Sequence, residues 1–139
     1  MISKDNIFNL FKNEDSVEVY EDFMDNPYIK IGMFNKIIIN SNVFSIKFKK
    51  FLDSIYPDND KNYVDSSYKF ITFNRAFFYI KDIDVENLQH IDALKCHNFE
   101  GLISNLNTAI SFFEGNEEYE KCSHLFKIKK FIEESLEIT

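Results

Sequence analysis

Glycine and proline are almost missing from this chain, at three and two residues in 139. β-Sandwiches and barrels need many tight turns, which those two residues usually build, so their scarcity favours helices and a few longer connections. Tryptophan is absent, and arginine occurs once, at Arg75. Arginine is the preferred bidentate reader of phosphate and guanine, and the net charge is −7, so direct nucleic-acid binding is disfavoured. An acidic protein that occupies a basic surface of a partner stays compatible with these numbers. Cys96 and Cys122 are the two cysteines, too few for a disulfide framework. No apolar run approaches the roughly 20 residues of a membrane span. The start Met1–Asn6 lacks the apolar core of a signal peptide. The expected setting is a reducing cytoplasm, with no membrane association.

What is present is aromatic: 16 Phe and 7 Tyr in a chain that is 45% hydrophobic. Such a composition folds, and 139 residues suit one domain spanning 1–139 with a core of its own. Lys, Asn, Ile, Phe and Tyr together fill about half the chain. Their codons are dominated by A and T, which points to an AT-rich bacterial genome or that of a phage. If the protein is a phage structural component, its setting is the virion.

Ser3 can cap a short helix carrying Ile7, Leu10 and Phe11 at i, i+3, i+4. Beyond it Glu14, Asp15, Glu18, Glu21, Asp22 and Asp25 form an acidic stretch with no base among them. Val17 and Val19 alternate with acids there, as in a strand with one wet face. The stretch is either a solvated edge or an acidic contact patch. After the turn Asn26-Pro27, the alternation of Ile29, Ile31 and Met33 and the run Ile37–Ile39 predict two strands joined near Phe34-Asn35. Ser41 or Asn42 then caps a helix whose residues Phe44, Phe48, Phe51, Leu52 and Ile55 share about a third of its circumference. Pro57 follows its end. Asp58–Asn62 imitates the opening of a calcium loop, but Tyr63 stands where the turn needs Gly and Lys69 where the ion needs Glu. In Tyr68–Ile83 the apolar residues scatter around a helical wheel, which predicts two strands turning at Asn74-Arg75.

The remainder, 84–138, reads as helical. Asp84 can cap a helix through Leu88, Ile91 and Leu94; either Asn98 caps the next, or the two run on as one long helix with a weak point at Cys96-His97-Asn98. Phe99, Leu102, Ile103, Leu106, Ala109, Ile110 and Phe113 follow i, i+3, i+4, i+7 almost without exception. Gly115 is placed to be a left-handed stop and Asn116 the following cap, so 98–138 forms a helical hairpin. Its last helix carries Tyr119, Cys122, Leu125, Phe126, Ile128, Ile132 and Leu136 over about half its circumference. That is more than one neighbour hides, so the helix is either wedged between two elements or keeps apolar surface for a partner. Phe131 lies off the stripe and is a candidate contact residue.

The run Asn116-Glu117-Glu118-Tyr119-Glu120-Lys121-Cys122-Ser123-His124-Leu125 gives 109–132 a resemblance to the UVR-type helical hairpin of bacterial excision-repair proteins. That family has an Arg-Asp pair after the aliphatic residue, where this chain has Phe126-Lys127. The resemblance implies a hairpin for protein contact and no catalytic residue.

Chemistry is harder to find. Cys96 next to His97, and Cys122 two before His124, point apart on a helix and cannot share a proton. The four lack any Cys-x2-Cys or His-x3-His unit for zinc. Gly32, Gly101 and Gly115 make no phosphate loop. No catalytic residue, metal site or cofactor is therefore expected.

The expected fold is α+β: a small, mostly antiparallel sheet with about five helices, ending in the hairpin. The expected function is a non-enzymatic protein–protein interaction domain, namely an assembly component, adaptor or inhibitor, acting on a protein partner or by self-association. Its candidate binding residues are Glu14, Asp15, Glu18, Glu21, Asp22, Asp25 and Phe131. The alternative is a small enzyme or ligand-binding domain whose site joins distant groups among Tyr28, Tyr63, Tyr68, Arg75, His90 and His97.

Overall fold

A computed structural model describes residues 24–58 and 61–138. All regular structure among them is helical, which overturns the α+β expectation. The order is α1 (Pro27–Ile55), α2 (Lys61–Ile80), α3 (Leu88–Lys95), α4 (Phe99–Gly115) and α5 (Tyr119–Ile138). The helix expected after Ser3 and the strand at Val17–Val19 lie outside the described residues.

Two strands expected between Ile29 and Ile39 are instead the first turns of α1. The Asn26 side chain accepts from the Tyr28 N–H at 2.9 Å, and Pro27 occupies the first helical turn, where its missing N–H costs nothing. Ile29, Ile31 and Met33 do alternate, but Ile31, Phe34 and Ile38 also recur at i, i+3, i+7, and these three are the ones buried. Packing therefore selects the helical period over the β-branched preference. Ser41 caps nothing. It sits inside α1 with its hydroxyl donating to the Ile38 carbonyl at 2.7 Å.

The hairpin expected at Asn74-Arg75 is likewise the middle of α2. Phe73, Ala76 and Ile80 are buried at i, i+3, i+7. Asn74 donates to the Phe70 carbonyl at 2.8 Å and accepts from the Lys121 ammonium of α5. That ammonium also stands 5.5 Å from the Phe77 ring centre and 5.2 Å from that of Phe113, tying α5 to α2 and α4.

One core cluster joins Ile31, Phe34 and Ile38 of α1, Phe73, Ala76 and Ile80 of α2, and Ile83. Ala93 and Leu94 of α3, Leu102, Leu106, Ala109 and Phe113 of α4, and Leu125, Ile128 and Ile132 of α5 complete it. The α4–α5 hairpin forms as its periodicity predicts. Asn98 caps α4 by accepting from Gly101 N–H at 3.3 Å. α3 starts three residues later than its sequence cue: Asn87, and not Asp84, accepts from Gln89 and His90 N–H.

The α4–α5 turn also differs from expectation. Gly115 is the last residue of α4, Asn116 its C-cap, and the left-handed residue is Glu117, with φ 61°. The Glu118 N–H returns to the Phe113 carbonyl at 2.9 Å to close the turn. A side chain in that conformation costs about 1–2 kcal/mol, part of which glycine gives back through its freer unfolded chain. Glu117→Gly is therefore expected to stabilise the fold by about 0.5–1 kcal/mol in urea unfolding.

Candidate functional site

The buried set contains a gap. Among the described residues, none between Ile39 and Thr72 is buried. Those residues are the far half of α1, the near half of α2 and the turn between them. They pair as an antiparallel arm: Phe48 stacks on Tyr68 with ring centres 5.5 Å apart, and Asp65 accepts from the Ser45 hydroxyl at 3.2 Å. The Asp65 carboxylate also meets Lys49 at 3.2 Å and Lys69 at 3.3 Å.

Burial pulls the Asp65 carboxyl upward, but hydrogen bonds and charge from Lys49 and Lys69 outweigh it and hold the group below its usual value. A lowered carboxyl stabilises the fold above its unfolded value, about 3.9, and that contribution is lost as pH falls through the lower folded value. The thermal midpoint of the wild type should thus drop more steeply than that of Asp65→Asn as pH is taken from 6 to 2.

The arm is apolar on faces that none of the described residues covers. Among the described residues, ten of the sixteen exposed large hydrophobics lie between Ile39 and Ile71, so the exposure is concentrated and not scattered. The arc Phe44, Phe48, Phe51, Leu52, Ile55 that the sequence sets out as a helix face is largely uncovered: Phe44 is 60% exposed and Phe51 59%. Between the two helices runs an open groove of about 620 Å³. Met33, Ile37, Phe44, Phe48 and Leu52 of α1 and Ile71 of α2 supply its apolar wall. Lys36 and Arg75 both line it towards the core end of their helices, with Tyr68 further along.

Among the described residues, no Asp, Glu, His or Cys lines the groove. It can hold an apolar ridge and an anionic group. A smaller cleft of about 320 Å³, between the base of the arm and α4, is lined by hydroxyls of Ser41, Ser45, Thr72, Thr108 and Ser111 among others.

The remaining sequence candidates do not all gather in the groove. Tyr68 and Arg75 share the groove, but Tyr28, His90 and His97 do not line it. The His90 Nδ1 instead accepts from the Asp84 N–H at 2.9 Å. Glu14, Asp15, Glu18, Glu21 and Asp22 lie outside the described residues. The Asp25 carboxylate is exposed, 3.9 Å from Lys30. Phe131 is half-buried and packs against the core, so it offers no solitary exposed ring. The wide stripe of α5 divides: Leu125, Ile128 and Ile132 are buried, whereas Tyr119, Phe126 and Leu136 are exposed.

Cys122 and His124 turn to different partners. The Cys122 thiol donates to the Ile110 carbonyl at 3.6 Å, while His124 Nε2 donates to the Ile80 carbonyl at 2.9 Å. Burial first, then the carboxylates of Glu114 and Glu118, push the Cys122 thiol up, away from the reactive thiolate. Cys96 is exposed at the end of α3. Among the described residues no three of His, Cys, Asp and Glu converge to hold a metal ion, and no helix is long and apolar enough to cross a membrane.

Sequence reading missed the groove because it assigned the two walls to different kinds of structure, a helix at 42–55 and a strand pair at 68–83. The available signal was the surplus of apolar residues on α2, more than one face requires. No family model matches this chain, and no curated protein or solved structure resembles it.

Proposed function

We propose that the protein is a non-enzymatic interaction domain that docks a partner protein along the α1–α2 arm. The observation that supports this reading is the uncovered apolar groove between two helices whose own core contacts end at Ile38 and begin again at Phe73. An exposed apolar surface of this kind is a standing cost in water and is relieved by a partner. A helix laid in a groove between two helices is a recurrent solution. A phage accessory or virion component is one specific form of this proposal, resting on codon composition alone.

The test is co-purification from the native cells at physiological salt with wild type and Ile71→Asn. Asparagine leaves the charge unchanged and removes apolar surface at a residue 67% exposed. A partner held by the wild type and lost by the variant is the expected result; the same proteins held by both would place the contact elsewhere.

A second reading, a small-ligand site, is favoured by one observation: Tyr68 and Arg75 do line the same groove. Its volume suits a drug-sized molecule, but such sites bury roughly 70–90% of the ligand, and walls as exposed as Phe44 and Ile71 do not.

A further inference from the structure

We infer that the occupant of the α1–α2 groove is an acidic amphipathic helix of a partner protein, seated with its carboxylates at the core end against Lys36 and Arg75. This rests on the docking function proposed above and specifies its chemistry.

Charge is segregated along the chain. From Lys36 to Arg75 the sequence has seven cationic side chains against four carboxylates. The whole chain stands at −7, so the residues outside this span carry −10 against +3 within it. The same asymmetry appears locally. Two cations and no carboxylate line the groove, and among the described residues neither Lys36 nor Arg75 has an ion-pair partner or an aromatic ring beneath it. Lys49 and Lys69 of the arm are both committed to Asp65.

Antiparallel pairing puts Lys36 and Arg75 at one end of the groove and Leu52 towards the other. The site therefore has a direction as well as a sign. From Met33 to Leu52 the α1 wall runs about 28 Å at 1.5 Å per residue, enough for roughly five turns of a docked helix. Such a helix presents apolar residues at i, i+3, i+4 and i+7 to the walls and carboxylates to the cations. A guanidinium can hold a carboxylate through two parallel hydrogen bonds, which fixes orientation as well as affinity. A second copy of this chain fits less well arm to arm, because two arms of positive charge would meet. A nucleic acid would bring phosphates to an apolar trough with two cations, and a bilayer would have to enter a concave surface.

The experiment uses the full chain and two fluorescein-labelled amphipathic helical peptides of roughly 18 residues. Both carry the same leucine ridge, one with glutamates on its polar face and the other with lysines. Anisotropy at 150 mM salt is expected to show the glutamate peptide bound at least tenfold tighter. Lys36→Glu with Arg75→Glu should invert that order, and Ile71→Asn should weaken both peptides. Circular dichroism of each variant confirms that it remains helical.

Equal binding of the two peptides, both weakened by Ile71→Asn, would overturn the acidic partner while leaving the docking arm standing. Binding unaffected by Ile71→Asn would overturn both. Tighter binding of oleate, of phosphatidylglycerol vesicles or of a single-stranded oligonucleotide, competing with the glutamate peptide, would overturn the acidic helix in favour of that ligand. Native mass spectrometry showing a dimer broken by Ile71→Asn would assign the groove to self-association and overturn it equally.

Discussion

Phe113→Ala is expected to cost about 3–5 kcal/mol, the usual range for removing a fully buried phenyl ring. Phe113 is 0% exposed and is the hub of the aromatic cluster. Its ring meets Phe77 edge-on at 5.6 Å, Phe112 at 5.3 Å and Phe73 at 6.5 Å, and the Lys121 ammonium lies over it at 5.2 Å. Alanine therefore leaves a void bordered by α2, α4 and α5 together, which no single rotamer change closes. A domain of this size has about 5–15 kcal/mol in all, so the loss takes a large share. The midpoint in urea should fall with little change in slope, and thermal unfolding should drop by on the order of 10–20 °C. Phe126→Ala is the control. That ring is 53% exposed on α5, and its loss should stay under about 1 kcal/mol. If the two variants unfold alike, the core does not centre on Phe113.

Ile71→Asn should do the opposite, leaving stability alone and removing binding. Ile71 is 67% exposed, so the folded chain forfeits little buried area, and asparagine differs modestly from isoleucine in helix propensity. The expected change in unfolding free energy is within about 0.5 kcal/mol. Against a partner the same change sets an amide where an apolar contact should form, at the centre of the groove wall. Leaving that amide desolvated and unpaired costs about 1–3 kcal/mol, which is roughly ten- to a hundredfold in Kd. Titration calorimetry or anisotropy with the purified partner checks it. A variant that binds normally would show that the apolar wall is not the contact.

The contrast between these two residues also explains how far the sequence could be read. The α4–α5 hairpin was legible because each helix has one dominant job. In α4 the apolar residues recur on the face that is buried, and Asn98 announces the start. Only the turn was misread, since the left-handed position went to Glu117 and not to the glycine two residues earlier. α1 and α2 were not legible for the reason that makes them interesting. Each buries one face against the core near the base and exposes another along the groove, so apolar residues occupy too much of the wheel to show a single stripe. In α2, Phe73, Ala76 and Ile80 obey the helical period once Tyr68, Ile71 and Arg75 are assigned to the groove. In α1, the alternation Ile29, Ile31, Met33 shares Ile31 with the buried helical series Ile31, Phe34, Ile38 and masks it. A pattern that serves two surfaces imitates a strand buried on both sides.

The candidate site was legible in part. The arc from Phe44 to Ile55 was found, but a periodic arc gives no sign of whether anything covers it. Phe131 was chosen as the uncovered aromatic and packs against the core instead. Uncovered rings of this kind sit at Phe44 and Phe51, on a helix whose apolar face looked well used.

One consequence follows from the unbroken run of α1 through the boundary at Ile38. The backbone hydrogen bonds of its 29 residues are continuous, but the burial that protects them is not. Helices owe most of their persistence to the packed face and little to propensity. The arm therefore belongs to a lower rung of stability than the core to which it is covalently and helically joined, and its turns can open while the rest stays closed. An occupant of the groove would supply the missing packed face. Part of its binding energy would then be spent on holding the arm shut, and the tightness of the complex would report the arm's own weakness as much as the quality of the fit.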